Sequence, residues 1–359
     1  MPIHLSHRGR GTVESPPNRF ERLSIESDDG AWEEIAKVDP DFEPRRLRTE
    51  FLRDDSKSLI TANDSPDIGF THSLNPYRGC EHGCAYCYAR PYHEYLGYNA
   101  GIDFETRLLV KERAPELLEA ELAKKSWVPT SLACSGVTDC YQPIERKLEI
   151  TRRCLAVLAD FRQPVGLITK NALVTRDLDH LRDLAQHGAV NVVLSLTTLD
   201  AKLASVLEPR ASRPEARLAA IRTLSEAGVP VGISLAPIIP GLNDHEIPAL
   251  MAAAAAHGAT FASGTVLRLP LAVKDVFSAW LDRFEPGKKA LILGRVAELR
   301  GGKLNDANFG SRMTGTGPLA EQIGRLLEVA KRRAGLDRPR EPLSTKAFRR
   351  RMPGQMELF

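Results

Sequence analysis

The chain has 359 residues, 43% hydrophobic and 26% charged, enough to bury a large core in one big domain or two smaller ones. Its net charge of +3 is too small to mark the whole molecule as a polyanion binder. No window is apolar enough to cross a bilayer, and the first residues lack the apolar stretch of a signal peptide, so a cytoplasmic protein with no membrane partner is expected.

In chain order, residues 1–65 are polar and aperiodic and read as a mostly disordered or loosely draped extension. A short strand is predicted in GFTHSLN from Gly69, leading into a cysteine-rich loop. RLLVK (107–111) reads as a further extended segment, followed by a helix with Pro115 in its first turn, where a missing N–H costs nothing. From there strands and helices alternate. PTSLACSG, PVGLITK, VNVVLSLTT, VPVGISLAPII and ATFASGTVLRL are predicted strands. The segments between them carry apolar residues at helical spacing, such as Ile150, Cys154, Val157 and Phe161 in ERKLEITRRCLAVLADF. Glycines 188, 228 and 258 close three of these helices.

Six β-α units between Gly69 and Gly301 imply a parallel sheet with right-handed crossovers, either a partial barrel or a doubly wound sheet. Both arrangements gather functional groups at the C-terminal strand ends. The division expected is a mostly disordered extension (1–65), a core (66–300), a loop and helix packed on it (301–335) and a basic disordered tail (336–359). From Lys331 onward there are nine basic and three acidic residues, which reads as a solvated tail and only sometimes as a nucleic-acid contact.

Three of the six cysteines, Cys80, Cys84 and Cys87, fall within eight residues at C-x3-C-x2-C spacing. Unrelated structural thiols are one reading. Structural zinc is another, with His82 or His93 as the fourth ligand, though there is no second knuckle. The third is an iron–sulfur cluster held by three thiolates, which leaves one iron open to a substrate or cofactor.

The spacing, with Tyr86 just before the last cysteine, resembles the signature of the radical S-adenosylmethionine (SAM) superfamily. The stretches NPYRGCEHGCAYCYARPYHEYLG, DFETRLLVK and VTDCYQPIERKLEITR are more closely similar to a bacterial group related to spore photoproduct lyase, the DNA repair photolyase-like proteins. The resemblance implies a partial (β/α)6 TIM-like barrel, a [4Fe-4S] cluster on the three cysteines, and SAM chelated at the open iron. It further implies one-electron cleavage of SAM to a 5′-deoxyadenosyl radical, fed by a donor such as flavodoxin or ferredoxin. The family's SAM contacts lie at successive strand ends. On this sequence they would fall to Tyr86 beside the cofactor, Thr138 and Asp139 after the second strand, and Lys170 after the third. Ser195, Arg210, and Ile239 with Gly241 in APIIPGLND would follow. Asp139 also reads as a helix cap, and Gly241 as a turn glycine. Here Pro237 and Asp244 stand where the family pattern has Gly and Glu.

Cys154 lies on an apolar helix stripe and reads as core. Cys134 and Cys140 flank the end of the second strand, where the related lyase places a hydrogen-donating cysteine, and Cys140 or Tyr141 is a candidate for that role. The last five residues, QMELF, resemble the bacterial sliding-clamp-binding pentapeptide through Gln355, Leu358 and Phe359. The reading that unites these features is a radical SAM enzyme, of lyase or DNA repair type, acting on DNA or a nucleotide lesion and recruited by its tail. The alternatives are the same chemistry on RNA, protein or a metabolite, and a non-catalytic cluster-bearing clamp partner or redox sensor.

Overall fold

A computed structural model describes residues 9–20, 47–338 and 340–350. Six parallel strands form the barrel wall: β3 (His72–Leu74), β6 (Leu132–Cys134), β7 (Val165–Thr169), β8 (Val190–Ser195), β9 (Val231–Ile238) and β10 (Phe261–Val266). β2 (Ile60–Ala62) adds antiparallel to β3, so the sheet runs β10-β9-β8-β7-β6-β3-β2. Neighbours follow sequence order and, among the described residues, the edges stay unpaired, which is the partial TIM-like barrel expected rather than the doubly wound alternative. A second sheet, β1 (Glu50–Arg53), β5 (Arg107–Val110) and β4 (Tyr77–Arg78), takes up the predicted RLLVK segment.

The described helices include α1 (Ala114–Ala123), α2 (Ile150–Phe161), α3 (Leu178–Gln186), α4 (Ala201–Leu207), α5 (Pro214–Glu226), α6 (Ile247–Ala256), α7 (Val273–Phe284), α8 (Lys289–Glu298) and α9 (Pro318–Ala334). The wall strands are β-branched or leucine-rich because both faces are covered. Leu167, Val192, Leu194, Ile233 and Leu235 are buried with α2, α3, α5 and α6 packed around them. A second cluster, with Phe277 stacked 5.7 Å from Trp280, fixes α7 and α8 beyond β10. The α9 helix packs on α6.

Three departures from the sequence reading have physical causes. Residues 145–161 are not one helix. Glu149 takes a left-handed conformation (φ 51°), and the Glu145 carboxylate turns back to accept the Thr151 N–H at 3.0 Å and so caps α2. α4 is an extra helix, opened by Asp200, whose carboxylate accepts the Lys202 and Leu203 N–H groups. The described part of the 1–65 extension is also pinned. β1 and β2 lie within it, and residues 9–20 run over the cysteine loop. The Gly11 N–H donates to Glu105 at 2.9 Å, and a Cβ on Gly11 would sit 1.5 Å from the Gly83 carbonyl oxygen, so only glycine fits this approach. Polar composition alone could not foresee this contact, because it is made with residues some 70 to 95 positions away.

At the far end of the chain, residues 340–350 cross the N-terminal ends of the barrel strands. Arg340 bonds Asn191 and lies over Phe261, and the Ser344 N–H donates to Gly188 at 2.9 Å. Phe348 packs on Phe161, and Arg350 donates to the Trp127 carbonyl at 2.8 Å. The QMELF motif lies outside the described residues.

Candidate active site

The cysteine loop follows β4, and several of its backbone groups are held from other segments. The Cys80 N–H donates to Phe104 O at 2.9 Å, Glu81 N–H to the Gln142 side chain at 2.9 Å, and Ala85 N–H to Leu207 O at 3.2 Å. Arg90 is fully buried. Two of its nitrogens donate to the Cys84 carbonyl at 2.8 and 3.1 Å, and Nη2 pairs with Glu105 at 2.6 Å. The loop is therefore braced from α4, from the Asp103–Thr106 turn and from the segment after β6.

Cys80 and Cys84 are buried and Cys87 half-buried, and none is in a disulfide. Burial raises all three thiols above their ordinary range. The Asp139 charge adds to this at Cys80 and the Glu208 charge at Cys84, while Arg90 and Lys170 work against it at Cys87. Among the described residues no three His, Cys, Asp or Glu side chains converge on one metal-ion position. The thiols are near enough to act on one another's charge without meeting at a point. That suits a multi-iron cluster, which takes one thiolate per iron, better than a single zinc ion. His82 is buried 3.3 Å from the Asp139 carboxylate, and His93 is buried between Tyr98 and Phe104, its pKa lowered to about 4 by burial. Three soft donors on one rigid loop, with cations nearby, fit a [4Fe-4S] cluster.

Beneath the loop lies a buried network that the sequence did not reveal. The Tyr86 hydroxyl and the Thr197 hydroxyl both donate to Glu208, and Arg217 pairs with its other oxygen. Burial works against the Glu208 charge, but Arg217, Lys170 and the two hydroxyls hold its pKa at about 2. Arg217 also donates to the Ser195 carbonyl at 2.9 Å, locking the end of β8 to this network. Lys170 stands with its Nζ 5.8 Å from the centre of the Tyr86 ring and has no ion pair within 4.0 Å among the described residues. It is a half-buried cation facing the cysteine loop with donors to spare.

The other candidates are placed as follows. Thr138 donates to the Gly79 carbonyl at 2.7 Å and braces the loop. Both Asp139 oxygens are engaged, by Thr169 Oγ1 at 2.7 Å, Lys170 N–H at 2.8 Å, Tyr141 N–H at 2.9 Å and His82. Arg210 spends its charge on Glu81 at 2.8 Å. Ile239 is fully buried, and Gly241 (φ 87°) offers its N–H to Asp244 at 3.0 Å in a tight turn. Cys140 is sealed in the core with its thiol against Cys134, and the Tyr141 hydroxyl donates to Asp177 at 3.0 Å among Arg152 and Arg176. Neither has exposed surface from which to meet a substrate. Glu208, Arg217, Arg90 and Glu105 were missed because nothing local marks a charge whose partner is distant in sequence. The one available signal was that Arg90 and Glu105 lie inside the stretches carrying the family resemblance.

An open parallel β/α barrel with three braced thiols on the loop after its first strand defines a cluster-bearing barrel enzyme. Residues 74–254, half of the chain, match the model of the Radical SAM superfamily, and the chain belongs to that superfamily. An uncharacterized protein of Mycobacterium tuberculosis is 36% identical over 221 residues, 61% of this chain and 65% of that protein, so the chain spans just under two thirds of that relative. One from Methanocaldococcus jannaschii is 30% identical, covering 55% of this chain and 71% of the other. Among solved structures, spore photoproduct lyase complexed with dinucleoside spore photoproduct has the same fold, with a TM-score of 0.55 at 15% identity over 79% of each chain. The superfamily implies a [4Fe-4S] cluster and SAM. When bound, the cluster would supply the electron for cleavage of SAM. Cys80, Cys84 and Cys87 would hold it, and Lys170 is a cation beside the loop with no ion pair among the described residues, which would suit a carboxylate.

Proposed function

We propose that this radical SAM enzyme acts on DNA or a nucleotide lesion, in the manner of a repair lyase, and is recruited to the sliding clamp through Gln355, Leu358 and Phe359. One observation carries the substrate reading. The residue after the third cluster cysteine, Tyr88, is 47% exposed, with the Arg268 guanidinium 5.9 Å from its ring centre. An exposed aromatic face beside a cation at the site's edge suits a base and its phosphate. The fold shared with spore photoproduct lyase supports the same direction. The clamp assignment rests on the sequence pattern alone.

The test is anaerobic reconstitution with reductant and SAM, with and without single- and double-stranded DNA. 5′-Deoxyadenosine should form, and faster with DNA. Equal rates with DNA, RNA and buffer would remove DNA as the substrate. For the clamp, a pull-down should lose clamp on deletion of residues 355–359. Equal capture by both forms removes that recruitment.

A further inference from the structure

The two edges of the open sheet are joined chiefly through one carboxylate, that of Asp67. Asp67 lies on the loop between β2 and β3, at one edge, and Arg312 on a single helical turn (Ser311–Thr314) in the glycine-rich segment that follows α8, beyond β10 at the other. The Arg312 Nε donates to one Asp67 oxygen, and the Gly310 N–H donates to the other at 2.6 Å. Arg312 also donates to the Ser65 hydroxyl at 2.6 Å. The carboxylate is only 5% exposed. It thus sits in a cradle of one guanidinium and one backbone N–H, an arrangement that serves any planar or tetrahedral oxyanion equally well.

A second arginine in the same place lacks a proper acceptor. Arg268 follows β10, and the one hydrogen bond among the described residues from its guanidinium goes to the thioether sulfur of Met313 at 3.5 Å, a weak acceptor. Its Nε is buried and has no hydrogen-bond partner among the described residues. Arg268 is close enough to Arg312 and to Asp67 for its charge to act on both. A half-buried guanidinium with its inner nitrogen left this way is costly, and an incoming anion would relieve it. Aromatic faces flank the two arginines. Tyr88 lies under Arg268, and Phe309, 59% exposed, lies under Arg312 with 4.4 Å between the guanidinium and the ring centre. The glycine-rich loop is itself fixed, since the buried Arg300 donates to Ser311 O and to Leu267 O, both at 2.8 Å.

The geometry points to a phosphodiester seat at the open side of the barrel, formed by Arg268, Arg312 and the Gly310 N–H and occupied in the free chain by the Asp67 carboxylate. A nucleic-acid strand entering along this side places a backbone phosphate where Asp67 now sits, with bases against Tyr88 and Phe309. Displacing Asp67 also leaves the Arg312–Ser65 hydrogen bond as the remaining hydrogen-bonded tie, among the described residues, between the β2-side and β10-side loops, so strand entry loosens the opening. This deepens the nucleic-acid reading above and rests on it.

The experiment is fluorescence anisotropy of a labelled single-stranded DNA oligonucleotide with the full chain, across a salt series. Asp67→Asn keeps an acceptor for Gly310 but removes the competing charge, so affinity should rise about five- to tenfold, a gain that misfolding cannot produce. Arg268→Gln and Arg312→Gln should each weaken binding and flatten the salt dependence by about 0.7 in log–log slope, the value for one phosphate contact on a single strand. An oligonucleotide with uncharged methylphosphonate linkages should not distinguish Asp67→Asn from the parent. If the parent binds DNA and the variants change neither affinity nor slope, the seat is overturned and the nucleic-acid reading stands. If neither the parent nor Asp67→Asn binds, both fall. Competition by inorganic phosphate at concentrations below those that screen binding generally would assign the seat to a small free anion and overturn the strand assignment.

Discussion

Arg90 and Glu105 form an ion pair of 2.6 Å in which neither side chain has any exposed surface, and the same guanidinium clamps the Cys84 carbonyl. The middle cysteine of the loop therefore takes its position from a charge pair buried behind it. Removing one partner leaves the other charge unpaired in the interior, so Glu105→Gln should cost about 3–5 kcal/mol. Arg90→Lys, which keeps the charge but not the fork, should also be severe. Chemical denaturation measures the first effect. Iron bound per chain after reconstitution measures the second.

Substituting Cys80, Cys84 or Cys87 with Ala should abolish iron retention and SAM cleavage. Cys140→Ala, behind the wall of the barrel, should keep both and lose about 1 kcal/mol of stability as a small core truncation. Loss of 5′-deoxyadenosine formation in Cys140→Ala with a full cluster would contradict its placement in the core.

Lys170→Met should leave the iron content unchanged and weaken SAM binding about tenfold or more, the scale of one charge-assisted hydrogen bond. Titration of SAM against the loaded protein reads this directly. Unchanged affinity would take Lys170 out of the cofactor site.

The β/α alternation, and with it the place of the cysteine loop, could be read from sequence because periodicity and closing glycines such as Gly188 and Gly228 are local signals. The strand-end candidates divided on long-range grounds. Lys170 and Arg210 look alike as basic residues after strands, but Arg210 finds Glu81 within 2.8 Å and Lys170 finds no such partner among the described residues. Nothing within a few residues of either records that difference. Glu208 illustrates the same limit. Nothing in EPR marks it, yet it receives Tyr86, Thr197 and Arg217 because α4 ends against the cysteine loop.

Acid should weaken the fold through His93. Its folded pKa is lowered from 6.5 to about 4 by burial, so the unfolded chain takes up a proton at a pH where the folded chain does not. The contribution is complete above about pH 6.5 and is lost as pH falls toward 4, by up to about 3 kcal/mol. His93→Gln should flatten the pH dependence of the unfolding midpoint across that window. An unchanged slope would show that other groups govern it.

Freeing residues 9–20 should loosen the site. Gly11→Ala cannot keep its approach to the Gly83 carbonyl, so trypsin should cut faster after Arg10 and Arg19, and the loaded protein should lose iron sooner on dialysis. Equal digestion and retention would mean that the strap shifts without cost.

The crossing of residues 340–350 over the N-terminal strand ends has a consequence for traffic. It delivers the chain beside Trp127, at the end of the barrel away from the cysteine loop. Anything that grips the chain at this crossing meets the back of the barrel and leaves the mouth above the cysteines turned outward.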